Sequence, residues 1–328
     1  MTRIFPTVVA HADWGLTADK RWMALARWEN GRYIATAPQL AGELTTLFDR
    51  LLAFAGPDGT VFAGFDFPIG VPEAYATVAG ITDFCSLLSA IGQDQWTNFF
   101  VVAEEPRQIS IERPFYPYRP GGTSRSHLMA GLGIGQFRDL LRLCERRTQN
   151  RNDACSLFWT LGGNQVGKAA IIGWRDLLAS EIHRNPLRMK LWPFNGDLAS
   201  LLQPGNVVVA ETYPAEFYGH LGINFPSRRN GARSGKRVQA ERATNATACI
   251  AAAKNLGLAL SPDLFAQFID GFGNAAIGED RFDAAVGLIG MINVISGNRA
   301  PGVPEIVSVQ RREGWILGQQ HAAQVVAL

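Results

Sequence analysis

The chain has 328 residues, 47% of them hydrophobic and 18% charged, with a formal net charge of +2. That balance suits a globular chain with a sizeable core and excludes extensive disorder. So small a net charge does not by itself announce a polyanionic or membrane partner. Cys85, Cys144, Cys155 and Cys249 form no C-x-x-C pair, which fits buried thiols in a reducing compartment. Residues 1–12 carry one Arg and no long apolar stretch, so no signal peptide is expected. No run reaches the ~18–20 apolar residues that a membrane span needs. A soluble, cytoplasmic protein with no membrane partner is expected.

In chain order, residues 6–14 (PTVVAHADW) predict a buried strand. Residues 21–28 and 32–37 predict two more, joined by Glu29-Asn30-Gly31, a hairpin signal because Asn-Gly tolerates positive φ. Residues 40–55 place Leu40, Leu44, Leu47, Leu51 and Phe54 at helical spacing, and Gly56-Pro57 stops them. Residues 60–65 predict another buried strand, ending at Asp66-Phe67-Pro68. A strand, a hairpin, a crossover helix and a strand parallel to the first is how ribonuclease H-like folds begin, an analogy at the level of fold.

Residues 71–204 change character. Helical stretches at 137–147 and 168–182 flank a Pro/Gly/aromatic loop at 106–122 on one side. They predict a mostly helical insertion within one domain, whose core is formed by 1–70 and 205–328. Residues 206–210 (NVVVA) predict a further buried strand, 236–256 a long helix, and 281–295 a helix that is apolar nearly all round and therefore deeply packed. The expected fold is α/β: a ribonuclease H-like mixed five-stranded sheet core with flanking helices and a large, mostly helical insertion.

Three predicted strands end in an acid: Asp13 in HADWG, Asp66 in GFDFPIG and Glu211 in VAETYP. Functional groups gather beyond the carboxyl ends of parallel strands, and Gly15, Pro68 and Pro214 turn the chain away there. Asp280 and Asp283, in GEDRFDAAVG, add acids at a helix start. Each acid also has an ordinary role: Asp13 and Asp66 as turn formers, Glu211 as an Arg partner, Asp280 as an N-cap, Asp283 as a first-turn acid. Gathered together, such carboxylates repel one another unless a cation lies between them. Mg²⁺ or Mn²⁺ is the expected occupant. Two ions about 4 Å apart would suit phosphodiester cleavage.

The same segments resemble a known family. HADWG (11–15), GFDFPIGVP (64–72), FWTLGGNQVGKAAIIGW (158–174), LWPFNG (191–196), VAETYPAEFY (209–218), RFDAAVG (281–287) and EGWILG (313–318) look like domain-of-unknown-function family 429. The likeness spans almost the whole chain, and ETYPAE with the later DA dipeptide is its most specific part. It implies a ribonuclease H-like fold with nuclease-like acids, which fall here on Asp13, Asp66, Glu211 and Asp283.

Other signals compete. Asp13-Trp14-Gly15-Leu16-Thr17 followed by Lys20 also looks like the first phosphate loop of actin-like ATPases and sugar kinases, which need a second copy of the core. Gly162 to Lys168 matches the G-x-x-x-x-G-K part of a P-loop, but Ala169 stands where a Mg²⁺-holding hydroxyl belongs. Arg107, Arg113, Arg119 and Arg125 interleave with Phe115, Tyr116 and Tyr118, and a second basic cluster holds Arg228, Arg229, Arg233, Lys236 and Arg237. Either could meet a polyanion or be a solvated loop. No His pair has ligand spacing, and His11 shares a strand face with Asp13. The expected function is metal-dependent phosphodiester hydrolysis of nucleic acid. Asp13, Asp66, Glu211 and Asp283 would be catalytic and, with Asp280, metal-binding, while Lys168, Lys236, Arg237 and Arg242 would meet the phosphate. The alternatives are an actin-like nucleotide-binding enzyme and a non-catalytic ribonuclease H-like binding protein.

Overall fold

The structure, a computed structural model, describes residues 5–148, 152–161, 166–225, 235–274 and 276–321. Among the described residues, the fold is α/β around one mixed sheet of eight strands: β1 (Val8–Trp14), β2 (Arg21–Glu29), β3 (Arg32–Ala35), β4 (Gln39–Leu40), β5 (Val61–Phe65), β6 (Met189–Leu191), β7 (Val207–Glu211) and β8 (Ala259–Leu260). Their order is β6-β7-β5-β1-β2-β3-β8, with β4 beside β2. β6, β7, β5 and β1 run parallel, and β2 is antiparallel to its neighbours β1, β3 and β4.

The sheet exceeds the five strands expected. β6 comes from within 71–204, so that segment contributes an edge strand as well as helices, and β8 pairs with β3. Three predicted helices also differ. Leu40 belongs to β4, and the helix begins only at Leu47, after a 3-10 turn at Leu44–Thr46. In place of a helix over 137–147 there are 3-10 turns at Phe137–Leu140 and Leu143–Glu145, separated by extended backbone at Arg142. The helix-forming sequence yields there to the burial of the Arg142 and Glu145 side chains in an ion pair. The predicted 236–256 helix is divided into Gln239–Thr244 and Ala246–Asn255. At the break, the Asn245 side chain exchanges hydrogen bonds of 2.9 and 3.0 Å with the backbone of Asn224.

Both faces of the central strands are covered, so β5 reads as an unbroken apolar run, and β1 and β7 are apolar apart from His11, Asp13 and the terminal Glu211. Val8, Ala10, Ala12, Val61, Ala63, Phe65, Val207 and Val209 face the Leu47–Ala55 helix and the 71–204 segment. Val9, Phe62, Val208 and Ala210 face the 19-residue helix Ile277–Ile295, which is longer than predicted. This helix lies close to β1. A Cβ on Gly287 would stand 2.1 Å from Cε1 of His11, and His11 Nδ1 is 3.1 Å from the Ala284 carbonyl. Burial lowers the His11 pKa to about 3, so the ring is neutral. His11 is therefore a packing residue under the helix.

Gly287→Ala is expected to destabilise the fold. Helix propensity favours Ala by about 1 kcal/mol, but overpacking against a ring fixed in the central strand costs about 1–3 kcal/mol or more. Thermal denaturation should show a lower Tm, and an unchanged or raised Tm would contradict this packing.

Candidate active site at the carboxyl ends of β1, β5 and β7

Strand register decides which acids meet. β1 and β5 pair Ala12 with Phe65, and β5 and β7 pair Phe65 with Glu211. The backbone continues the pattern by one residue, because Asp66 N–H donates to the Ala12 carbonyl at 3.1 Å and Thr212 N–H to the Phe65 carbonyl at 2.9 Å. Asp13, Asp66 and Thr212 thus form one row on the face of the Ile277–Ile295 helix. Neighbouring strands lie about 4.8 Å apart. Trp22 extends the row on β2, opposite Asp13, with the Arg281 guanidinium 5.3 Å over its ring. Glu211 precedes Thr212 by one residue and therefore belongs to the other parity.

Glu211 is committed elsewhere. Arg142 grips both of its oxygens at 2.6 Å, and the Ile69 N–H donates to Oε2 at 2.6 Å. Arg142 is fully buried and also binds Glu145 at 2.9 Å and the Ile69 and Glu313 carbonyls at 3.2 and 3.0 Å. Four acceptor groups around one planar guanidinium leave no bare charge in the interior.

Asp283, buried on the helix, accepts from Tyr218 Oη and ion-pairs with Lys236, whose Nζ also lies 3.3 Å from Glu279. Asp280 lies inside the helix, which starts at Ile277, so it is not the N-cap. Burial, then Glu279 and Asp283, push its carboxyl up to about 6.

Asp13 and Asp66 are different. Among the described residues, neither carboxylate accepts a protein hydrogen bond or joins an ion pair within 4 Å. Burial, reinforced by Asp283 and Asp66, raises Asp13 well above the usual range, and Lys236 opposes the shift. Burial pushes Asp66 up to about 7, with Lys236 opposing and Asp283 and Glu211 reinforcing. Two adjacent carboxyls without donors therefore favour the protonated form unless a cation lies between them.

A cavity of about 300 Å³ crosses the strand ends. Its lining includes Asp66, Thr212, Lys236 and Asp283 together with Trp14, Phe67, Arg142, Glu145 and Glu211, and Asp13 is not among the lining residues. The other predicted phosphate contacts separate from this site. Arg242 is buried and binds the Lys236, Gly271 and Gly273 carbonyls at 2.5, 2.8 and 2.7 Å, which makes it a structural clamp beneath Lys236. Lys168 lines a different cavity, with Arg113, Tyr118 and Arg175. Arg237 is exposed, 3.8 Å from Glu279. Phe115 and Tyr116 are core residues, Tyr118 is exposed, and Arg107 pairs with Glu105. Gln165, Arg228, Arg229 and Arg233 lie outside the described residues. Sequence reasoning missed Arg142, Tyr218 and Thr212. Only Thr212 carried a usable signal, as the neighbour of a strand-end acid.

Among the described residues, no three His, Cys, Asp or Glu side chains are arranged to hold a metal. Asp13 and Asp66 form an open pair at the strand ends, and Asp280, on the neighbouring helix, likewise accepts no protein hydrogen bond among the described residues. Such a pair fits Mg²⁺ or Mn²⁺, which take one or two carboxylates and fill the remaining positions with water and substrate oxygens. Comparison with known proteins found no match among family models, curated proteins or solved structures.

Two outcomes follow from this geometry. Arg142→Met should lower stability by about 3–5 kcal/mol, because it strands Glu211 beside buried neighbours. Combining it with Glu211→Gln should cost less than the sum of the two, as measured in a urea double-mutant cycle. The second concerns pH. The Asp66 pKa is raised from 3.8 to about 7, so its contribution to stability is fully present below pH 3.8 and is lost as pH rises through 7. Without divalent ions, Asp66→Asn should therefore match wild type in Tm at low pH and exceed it at pH 8. A Tm difference that does not grow with pH would contradict the assignment.

Proposed function

We propose that the chain is a metal-dependent phosphodiester hydrolase acting on nucleic acid, with Asp13 and Asp66 as the central pair. The observation that carries this reading is their placement in one row at the carboxyl ends of parallel β1 and β5, with no protein donor and with ionisation suppressed. Lining of one cavity by Asp66, Lys236 and Asp283 supports it further.

A ribonuclease H-like core is part of the proposal. Its support is the order β3-β2-β1-β5-β7 with β2 alone reversed, together with the sequence resemblance to domain-of-unknown-function family 429. In this reading Asp13 and Asp66 hold Mg²⁺ or Mn²⁺, which supplies Lewis-acid polarisation and makes water a stronger nucleophile. A bound cation would favour the ionised form of both carboxylates. Lys236, oriented by Asp283 and Tyr218, presents its ammonium to a phosphate oxygen. Trp14 and Phe67 exclude bulk water from one wall of the cavity. Glu211 is left with a structural part, fixing the end of β7 through Arg142.

A second reading, a binding protein without catalysis, draws on two of the original four acids being neutralised, Glu211 by Arg142 and Asp283 by Lys236. Mn²⁺ titration calorimetry on wild type and Asp13→Asn, with a panel of DNA, RNA and nucleotide substrates, separates the two. Hydrolysis proposes that wild type binds Mn²⁺ and cleaves a panel member, and that Asp13→Asn binds at least about tenfold more weakly and does not cleave. Mn²⁺ binding that ignores the substitution would refute the site. Absence of cleavage across the panel would favour the binding protein.

A further inference from the structure

The row that carries Asp13 and Asp66 has a third member on β7, and it is a hydroxyl. Thr212 is 1% exposed, lines the cavity, and its Oγ1 has no hydrogen-bond partner among the described residues. A buried hydroxyl without a partner costs roughly 1–3 kcal/mol, so it is retained here at a loss to the free protein. Its backbone N–H is already used in the sheet, donating to Phe65. Its methyl group is packed toward Gly64, where a Cβ would come within 2.7 Å of Thr212 Cγ2. The absence of any side chain at Gly64 makes room for Met291 Sδ, 2.4 Å from such a Cβ, and for the Thr212 methyl. Of the other carboxylates at this end of the sheet, Glu211 is engaged by Arg142 and Asp283 by Lys236 and Tyr218, while Asp280 acts on Asp13 from the start of the helix.

We propose that Thr212 Oγ1 is the third protein oxygen of the cation site, completing the row begun by Asp13 and Asp66 in the place where the sequence suggested Glu211. This rests on the proposed function and deepens it. A neutral hydroxyl suits the position electrostatically. A third carboxylate beside two that already resist ionisation would repel both, whereas a hydroxyl adds an oxygen ligand and no charge. Hard divalent cations accept neutral oxygen donors together with carboxylates and water.

The test uses the full-length protein and Mn²⁺ alone as probe, comparing wild type, Thr212→Val, Thr212→Ser and Asp13→Asn by calorimetry and thermal denaturation. Thr212→Val keeps the shape and deletes the hydroxyl. It should bind Mn²⁺ at least about tenfold more weakly, while its metal-free Tm stays level or rises because an unpartnered hydroxyl has gone. Thr212→Ser should bind like wild type. Thr212→Val binding like wild type while Asp13→Asn loses Mn²⁺ would overturn this inference and leave the carboxylate pair standing. A fall in metal-free Tm for Thr212→Val, with binding lost equally in Thr212→Ser, would assign the residue to packing and also overturn it. Wild type that takes up no Mn²⁺ would overturn both readings.

Discussion

In the centre of the sheet, β1, β5 and β7 run parallel and in register, so a side chain's place in the count decides which face it serves. Everything chemical at this end of the molecule depends on that parity. Asp13 and Asp66 fall on the face of the Ile277–Ile295 helix and meet Asp283, Asp280 and Lys236 there. Glu211 falls on the other and meets Arg142. A slip of one residue in the β5–β7 pairing would carry Glu211 to the helix face, away from Arg142, and leave Arg142 with Glu145.

The two faces handle charge in opposite ways. Around Arg142 the charges are matched and saturated by hydrogen bonds, as expected where a buried ion must not stand alone. Around Asp13 and Asp66 the match is incomplete. Lys236 offsets the two open carboxyls through space, but its ammonium is bound to Asp283 and Glu279. Where burial suppresses the ionisation of two neighbouring carboxyls, any ligand that ionises them must also balance their charge, which sets the open pair apart from the neutralised acids.

Much of this architecture could be read from local pattern. Strands 1, 2, 3, 5 and 7, the Asn-Gly hairpin and the buried last helix were all visible as apolar runs and turn signals, because both their period and their punctuation are local properties. The acids at the ends of β1 and β5 were legible for the same reason. Parity was not. VVVAE is apolar on both faces, so nothing in it shows whether Glu211 or Thr212 continues the row. Residues 137–147 carry a helix-forming sequence, and only the tertiary pull on Arg142 and Glu145 opens them into two turns. The division of the helix at Asn245 likewise depends on Asn224, which is 21 residues away in the chain. The short strands β6 and β8, of three and two residues, owe their existence to a neighbour's edge and not to their own composition.

The ion pair between Arg142 and Glu211 also bears on how freely this protein could be rebuilt. Residues 71–204 look like a cassette placed between two strands, and cassettes are commonly trimmed or exchanged. Here the cassette supplies the counter-charge to the final residue of β7, the strand β6 that closes that edge, and the Trp174 indole that donates to the Pro68 carbonyl at 2.7 Å. A shortened descendant would need a replacement for each of these. The length of the chain between β5 and β7 is thus held in place by electrostatics as well as by packing.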